Sequence, residues 1–194
     1  MNEYKKEFAS QRWRSNQKSN KMKTIFALLV ISSTFSSAFG KAVDDRHLFL
    51  HGRVYEVNPW SEEIEGGAKA VQVVVYQNSE MYVAFYTDKS GVYEFNLPIG
   101  FVYEIRYGGQ SLVNKIVKVD TRELPSRKGG NDLRMDMGLF KPIEGADFSL
   151  LNEPFVVVDY DKEESRLVPD LAYTDDKAYE LDKIFRKIRK AKLK

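Results

Sequence analysis

The chain has 194 residues, 13% of them aromatic, with eleven Tyr and twelve Phe, a richness that suits a folded β protein and argues against disorder. It contains no cysteine, which excludes disulfides, a lipid-modified N-terminal Cys, a thiolate zinc site and a Cys nucleophile. The net charge of +2 conceals an acidic body, residues 41–182, with 16 basic against 26 acidic side chains, which makes nucleic acid a poor partner.

Residues 1–40 read as a signal or targeting region. Met22-Lys23 leads into an apolar run over 24–30 and a Ser-rich stretch over 31–38, and Ala38-Phe39-Gly40 places small residues at −3 and −1 before Lys41. A basic start, a short apolar core and an A-x-G site are the three parts of a secretory signal, which predicts a signal-peptide helix and an exported chain. The polar stretch over 1–21 means either that translation starts at Met22 or that the n-region is long. An uncleaved signal anchor, making a membrane subunit, is the alternative.

From Leu48 the apolar pattern has period two, the mark of half-buried strands. The first runs over 50–57 and breaks at Asn58-Pro59, before a polar loop that ends at Gly66-Gly67. Strands over 70–76 and 81–87 follow, then a turn at Asp88-Lys89-Ser90-Gly91. The stretch 92–97 alternates Tyr93, Phe95 and Leu97 against Glu94 and Asn96, and 101–107 alternates Phe101, Tyr103, Ile105 and Tyr107 against Glu104 and Arg106. Gly108-Gly109 turns the chain into 112–119, and after a polar loop over 122–130 the residues Leu133, Met135, Met137 and Leu139 alternate once more. This predicts an all-β fold, a seven- to eight-stranded antiparallel Greek-key sandwich over 48–140. Residues 141–173 read as a connector with one short strand at 155–158, an edge strand, followed by a charged loop over 159–170. An amphipathic basic C-terminal α-helix is expected over 174–193, with Thr174 as its N-cap and Asp175 and Asp176 favoured by the helix dipole. Its apolar face carries Leu181, Ile184, Phe185, Ile188 and Ala191.

The segments His51-Gly-Arg-Val-Tyr, Gly67-Ala-Lys-Ala-Val-Gln-Val, Tyr86-Thr-Asp-Lys-Ser-Gly-Val-Tyr-Glu-Phe and Tyr103-Glu-Ile together resemble a carboxypeptidase regulatory-like domain, of the transthyretin-like or prealbumin-like sandwich group. The pattern falls on Gly52, Val54, Val71, Val73, Thr87, Asp88, Gly91, Tyr93, Phe95, Tyr103 and Ile105, about half the chain. The resemblance implies an envelope accessory module, of a kind common in Bacteroidetes-type bacteria. Hydroxyisourate hydrolases of this superfamily use active-site histidines and a C-terminal tetrapeptide; this chain has only His47 and His51 and ends Lys-Leu-Lys. Adhesin-type relatives crosslink a first-strand Lys to Asn, where this first strand offers Arg53.

No catalytic, cofactor or metal residues are assigned. His47 and His51 in one strand are about 13 Å apart, too far to share a metal ion. Asp159, Asp161, Glu163, Glu164, Asp170, Asp175 and Asp176 lack calcium-loop spacing and read as solvated acids. No G-x-S-x-G, H-E-x-x-H or phosphate-binding loop is present in the sequence. The expectation is a non-catalytic secreted protein of the periplasm or outer cell envelope that binds a protein or glycan partner. The contact residues are Tyr82 and Tyr86 on an exposed sheet face, or Lys183, Arg186, Lys187 and Lys190 on the helix. The helix either packs on the sandwich or makes a peripheral membrane or acidic-partner contact. The alternative function is an envelope hydrolase with an unadvertised carboxylate or serine site.

Overall fold

The computed structural model describes residues 46–192, apart from 62 and 110. The signal-peptide helix expected over 1–40 lies outside the described residues. Two sheets face each other across one core. The strands are β1 His47–Val57, β2 Ile64–Gly67, β3 Gln72–Gln77, β4 Glu80–Tyr86, β5 Val92–Pro98, β6 Val102–Gly109, β7 Leu112–Asp120, β8 Asn131–Arg134, β9 Met137–Leu139, β10 Pro154–Asp161 and β11 Arg166–Pro169. An α-helix, α1 Leu171–Lys192, ends the described chain, and a short 3-10 turn, Ser149–Asn152, precedes β10.

The larger sheet has the order β11-β10-β7-β6-β3-β4. In the smaller one, β1 is flanked by β5 and β2 on one side and by β8 and β9 on the other, so it is only three strands wide. Alternation assigns the faces: Leu48, Leu50 and Val54 of β1 meet Val73 and Val75 of β3, Tyr103, Ile105 and Tyr107 of β6, and Val117 and Val119 of β7 in one buried cluster.

The sandwich expected from the sequence is present, with more strands and with mixed rather than wholly antiparallel pairing. β1 runs parallel to β8 and β9, and β10 runs parallel to β7. Period two reports which face a residue occupies and is blind to strand direction, which depends on crossovers through the opposite sheet. The expected strand over 133–139 is two strands. Between them Asp136 is buried, accepts the Arg53 backbone N–H at 2.9 Å and pairs with Arg134 at 2.9 Å. A carboxylate thus replaces one rung of the ladder where the alternation assigned it to solvent.

The segment 155–158 is no edge. β10 sits inside the larger sheet, and the charged stretch read as a loop contains β11, which forms the edge instead. Asp161 caps the turn between them by accepting the N–H groups of Glu163 and Glu164.

The residues that carry the family-like pattern each do a structural job. Thr87 ties the end of β4 to the connection between β2 and β3: its Oγ1 accepts the Val71 N–H and donates to the Ala68 carbonyl. Asp88 accepts the N–H groups of Ser90 and Val92, both at 2.8 Å, and so shapes the turn before β5. Gly91 in that turn has φ +80°, a conformation that side chains disfavour. Gly52 has no room for a methyl group, which would overlap the carbonyl oxygen and carbon of Met135, both backbone atoms. Gly52→Ala is therefore expected to destabilise the fold by about 3 kcal/mol, since β1 and the β8–β9 junction must move apart. Urea denaturation reads it directly. A loss well below 1 kcal/mol would show that the junction yields easily.

α1 begins earlier than expected. Asp170 is its N-cap, accepting the Tyr173 N–H at 3.0 Å, while Thr174 sits one turn inside and donates its hydroxyl back to the Asp170 carbonyl at 2.7 Å. Asp caps as well as Thr does, and Leu171-Ala172 extend the helix toward it. Thr174, Ala178, Leu181 and Phe185 form the buried stripe. The last three join the sandwich core, with Ile188 packed against it. The helix covers the part of the larger sheet, around β10, that the narrower sheet leaves open.

Candidate functional site

The register of the larger sheet builds one feature on its outer face. Gln72 lies opposite Tyr86 on β4 and Gly108 on β6; one step along, Val74 lies opposite Ala84 and Arg106, and Arg106 opposite Ile116. At Gly108 the missing side chain leaves a depression that the Asn114 side-chain oxygen fills. The 3-10 turn contributes Leu151 and Asn152 as a wall beyond β7, and Lys69 and Ala70 close one end. The result is an open groove of about 920 Å³.

Its chemistry is mixed. Tyr86, 65% exposed, offers a nearly bare ring. Gln72, Asn114 and Asn152 offer amides with donors and acceptors. The Arg106 guanidinium is held in place: its Nε donates to Glu104 at 2.6 Å, and its Cζ lies 4.6 Å from the Tyr76 ring centroid. A ligand with one apolar face and a rim of hydroxyls matches such a surface, because the ring takes the apolar face and the amides and guanidinium take the hydroxyls.

The six contact residues expected from the sequence do not come together. Tyr86 lies in the groove. Tyr82 sits at a bulge in the β3–β4 pairing and packs edge-on against buried Tyr103, with centroids 6.4 Å apart. Lys183, Arg186, Lys187 and Lys190 are exposed on α1. Two of them are engaged within the helix: Lys183 with Glu180 at 2.7 Å and Arg186 with Asp182 at 2.6 Å, each carboxylate raising the pKa of its partner. Gln72, Arg106, Asn114 and Asn152 carry no signal of their own in the sequence. As outward positions of strands and a loop they look like any solvated residue until the register aligns them.

Among the described residues, no three His, Asp or Glu side chains gather closely enough to hold a metal ion, and no helix is long and apolar enough to cross a membrane. His51 pairs with Asp132 at 3.1 Å and stacks on Phe49. The most perturbed amine belongs to Lys115 on β7. It is 1% exposed, lies 4.5 Å from the Phe155 ring centroid, and burial pulls its pKa from 10.5 down to about 7. It faces the core, on the other side of β7 from the groove.

No family model and no curated protein matches the sequence. Among solved structures, catechol 1,2-dioxygenase from Acinetobacter sp. ADP1 is similar at 12% identity and a TM-score of 0.34, over 55% of this chain and 56% of that one. The 3-chlorocatechol 1,2-dioxygenase from Rhodococcus opacus 1CP is similar at 10% identity and 0.35, over 73% and 90%. A C-terminal fragment of the pilus adhesin SpaC from Lactobacillus rhamnosus GG is similar at 10% identity and 0.32, over 49% and 46%. The chain thus spans about half the length of the first and third of these. Likeness at this level carries neither a reaction nor a ligand across.

Proposed function

We propose that this chain is an exported, non-catalytic accessory protein of a bacterial cell envelope, built on a carboxypeptidase regulatory-like sandwich, and that it holds a glycan in the groove over β3, β4, β6 and β7. Export rests on the signal pattern of residues 22–40, and the family reading rests on the pattern through Gly52, Thr87, Asp88 and Gly91. The observation that carries the binding reading is the bare Tyr86 ring beside a fixed guanidinium and three amides in one groove. A pyranose presents an apolar C–H face and a rim of hydroxyls, the two halves of that chemistry.

The sheet face is favoured over the helix because the apolar stripe of α1 is already spent in the core. A helix that lies on a membrane needs that stripe.

Binding of soluble envelope polysaccharide by calorimetry tests the reading. Tyr86→Ala and Arg106→Ala should each weaken it about tenfold or more, the loss of one good contact. The double variant Lys187→Ala, Lys190→Ala should leave it unchanged. If the helix pair abolishes binding while the groove variants retain it, the contact belongs to α1 and this reading fails.

A further inference from the structure

The outer face of the larger sheet holds a second depression beside the groove, of about 460 Å³, lined among others by Tyr76, Asn78, Ser79, Glu104 and Lys118. Arg106 lines both, so the two run on as one open trough. The register sets its course. Three rungs follow one another along β3: Gln72 opposite Gly108, Val74 opposite Arg106, and Tyr76 opposite Glu104, which itself faces Lys118 on β7. The first and third rungs are about 14 Å apart, four residues of extended strand, a length that one sugar ring does not fill. Asn78 and Ser79, with φ of 49° and 72°, form the tight turn into β4 and close the far end.

The charge of this trough is opposite to that of the protein around it. Lys69, Arg106 and Lys118 line it, against Glu104 as the one carboxylate among the described lining residues. Residues 41–182 as a whole carry 16 basic and 26 acidic side chains. Glu104 is engaged with Arg106, accepting its Nε at 2.6 Å, and among the described residues no protein acceptor takes the two Nη groups. A planar pair of open N–H donors is what a carboxylate bridges. Lys69 and Lys118 are exposed, and neither is held in an ion pair among the described residues. Asp120, two residues beyond Lys118, is taken by Arg122 through its backbone N–H and its Nε, each at 3.0 Å, and Lys118 acts on it at longer range. An acidic body repels an anionic chain, so three cations gathered along one trough draw such a chain to that face.

We propose, resting on the glycan reading above, that the trough takes an acidic saccharide chain, one that carries carboxylates along a backbone of sugar rings. A ring face lies on Tyr86 at one end, and carboxylates reach Lys69, Arg106 and Lys118 in turn. Arg106, common to both depressions, is where the chain crosses from one to the other.

Oligogalacturonate and its methyl ester share one sugar skeleton and differ in charge. Calorimetry of the full protein at low salt is expected to show the acid binding about tenfold more tightly than the ester, a preference that shrinks as salt is added. The double variant Lys69→Gln, Lys118→Gln should cut that preference about fivefold. Both side chains are exposed, so the fold is kept, and an unchanged circular dichroism spectrum checks it. Lys187→Ala with Lys190→Ala removes two charges outside the trough and should leave the preference as it is. Equal binding of acid and ester overturns the acidic preference while the groove remains a glycan site. No binding of either overturns the preference too, and binding of the envelope polysaccharide then decides the glycan reading by itself. A preference lost equally through the helix pair assigns it to net charge and overturns the proposal.

Discussion

Phe185→Ala is expected to destabilise the fold by about 3–5 kcal/mol, the range for truncating a buried ring into a cavity. Phe185 is 1% exposed, and its ring meets Phe140 at 5.1 Å, Phe148 at 5.8 Å and Trp60 at 6.0 Å between centroids. Those three rings come from the chain after β1, the end of β9 and the 145–150 segment, so the helix residue closes contacts that no strand makes. Urea denaturation of the wild type and the variant gives the number, with Arg189→Ala as an exposed reference on the same helix. A loss under 1 kcal/mol would mean that α1 rests on the sandwich without being part of its core. A loss in the expected range makes the helix a structural element, which is why its basic face is a poor choice for the principal contact.

Lys115→Met is expected to stabilise the protein at neutral pH, by an amount on the order of 3 kcal/mol. The sign follows from the direction of the shift. The unfolded amine titrates near 10.5 and the folded one near 7. Below pH 7 both states are protonated and the folded state bears the desolvation penalty, offset in part by the contacts of the amine, the Phe155 ring among them. Between pH 7 and 10.5 the unfolded state binds the proton and the folded state does not, so wild-type stability climbs with pH. Above pH 10 the order reverses. Burial raises the pKa of Tyr93, Tyr103 and Tyr107, so the unfolded state ionises first and stability falls. A methionine keeps the volume and removes the charge, so the variant should lose the climb between 7 and 10 while keeping the fall above it. Melting curves at a series of pH values read both. If the variant is no more stable at pH 7 and the climb persists, another group carries it.

Period-two alternation made β3 to β7 legible to within a few residues, because each strand has one face in the core and the other in water. It failed where that condition failed. Around Asp136 the buried position is a carboxylate that serves the backbone of Arg53, so a polar residue in the pattern did not mean an exposed one. Around 159–170 the charges of the hairpin masked Leu167, the one buried residue of β11. Strand direction, and with it the parallel pairs, is a property of the crossovers and leaves no mark on alternation. The helix stripe through Leu181 and Phe185 was legible from its spacing, while its start was displaced to Asp170 by a cap of equal quality.

Of the candidate site, Tyr86 could be found, since an aromatic residue opposite a core position must face solvent. Tyr82 followed the same rule, but a bulge turned it onto Tyr103. Gln72, Arg106 and Asn114 come from three strands, and only the register brings them side by side.

The most direct test of the account is an NMR titration of the protein with soluble oligosaccharides from a bacterial envelope, following backbone amides. Shifts concentrated at Gln72, Val74, Tyr86, Arg106 and Asn114 are expected, with α1 unmoved. Shifts confined to residues 183–190, or none with any saccharide, would contradict it.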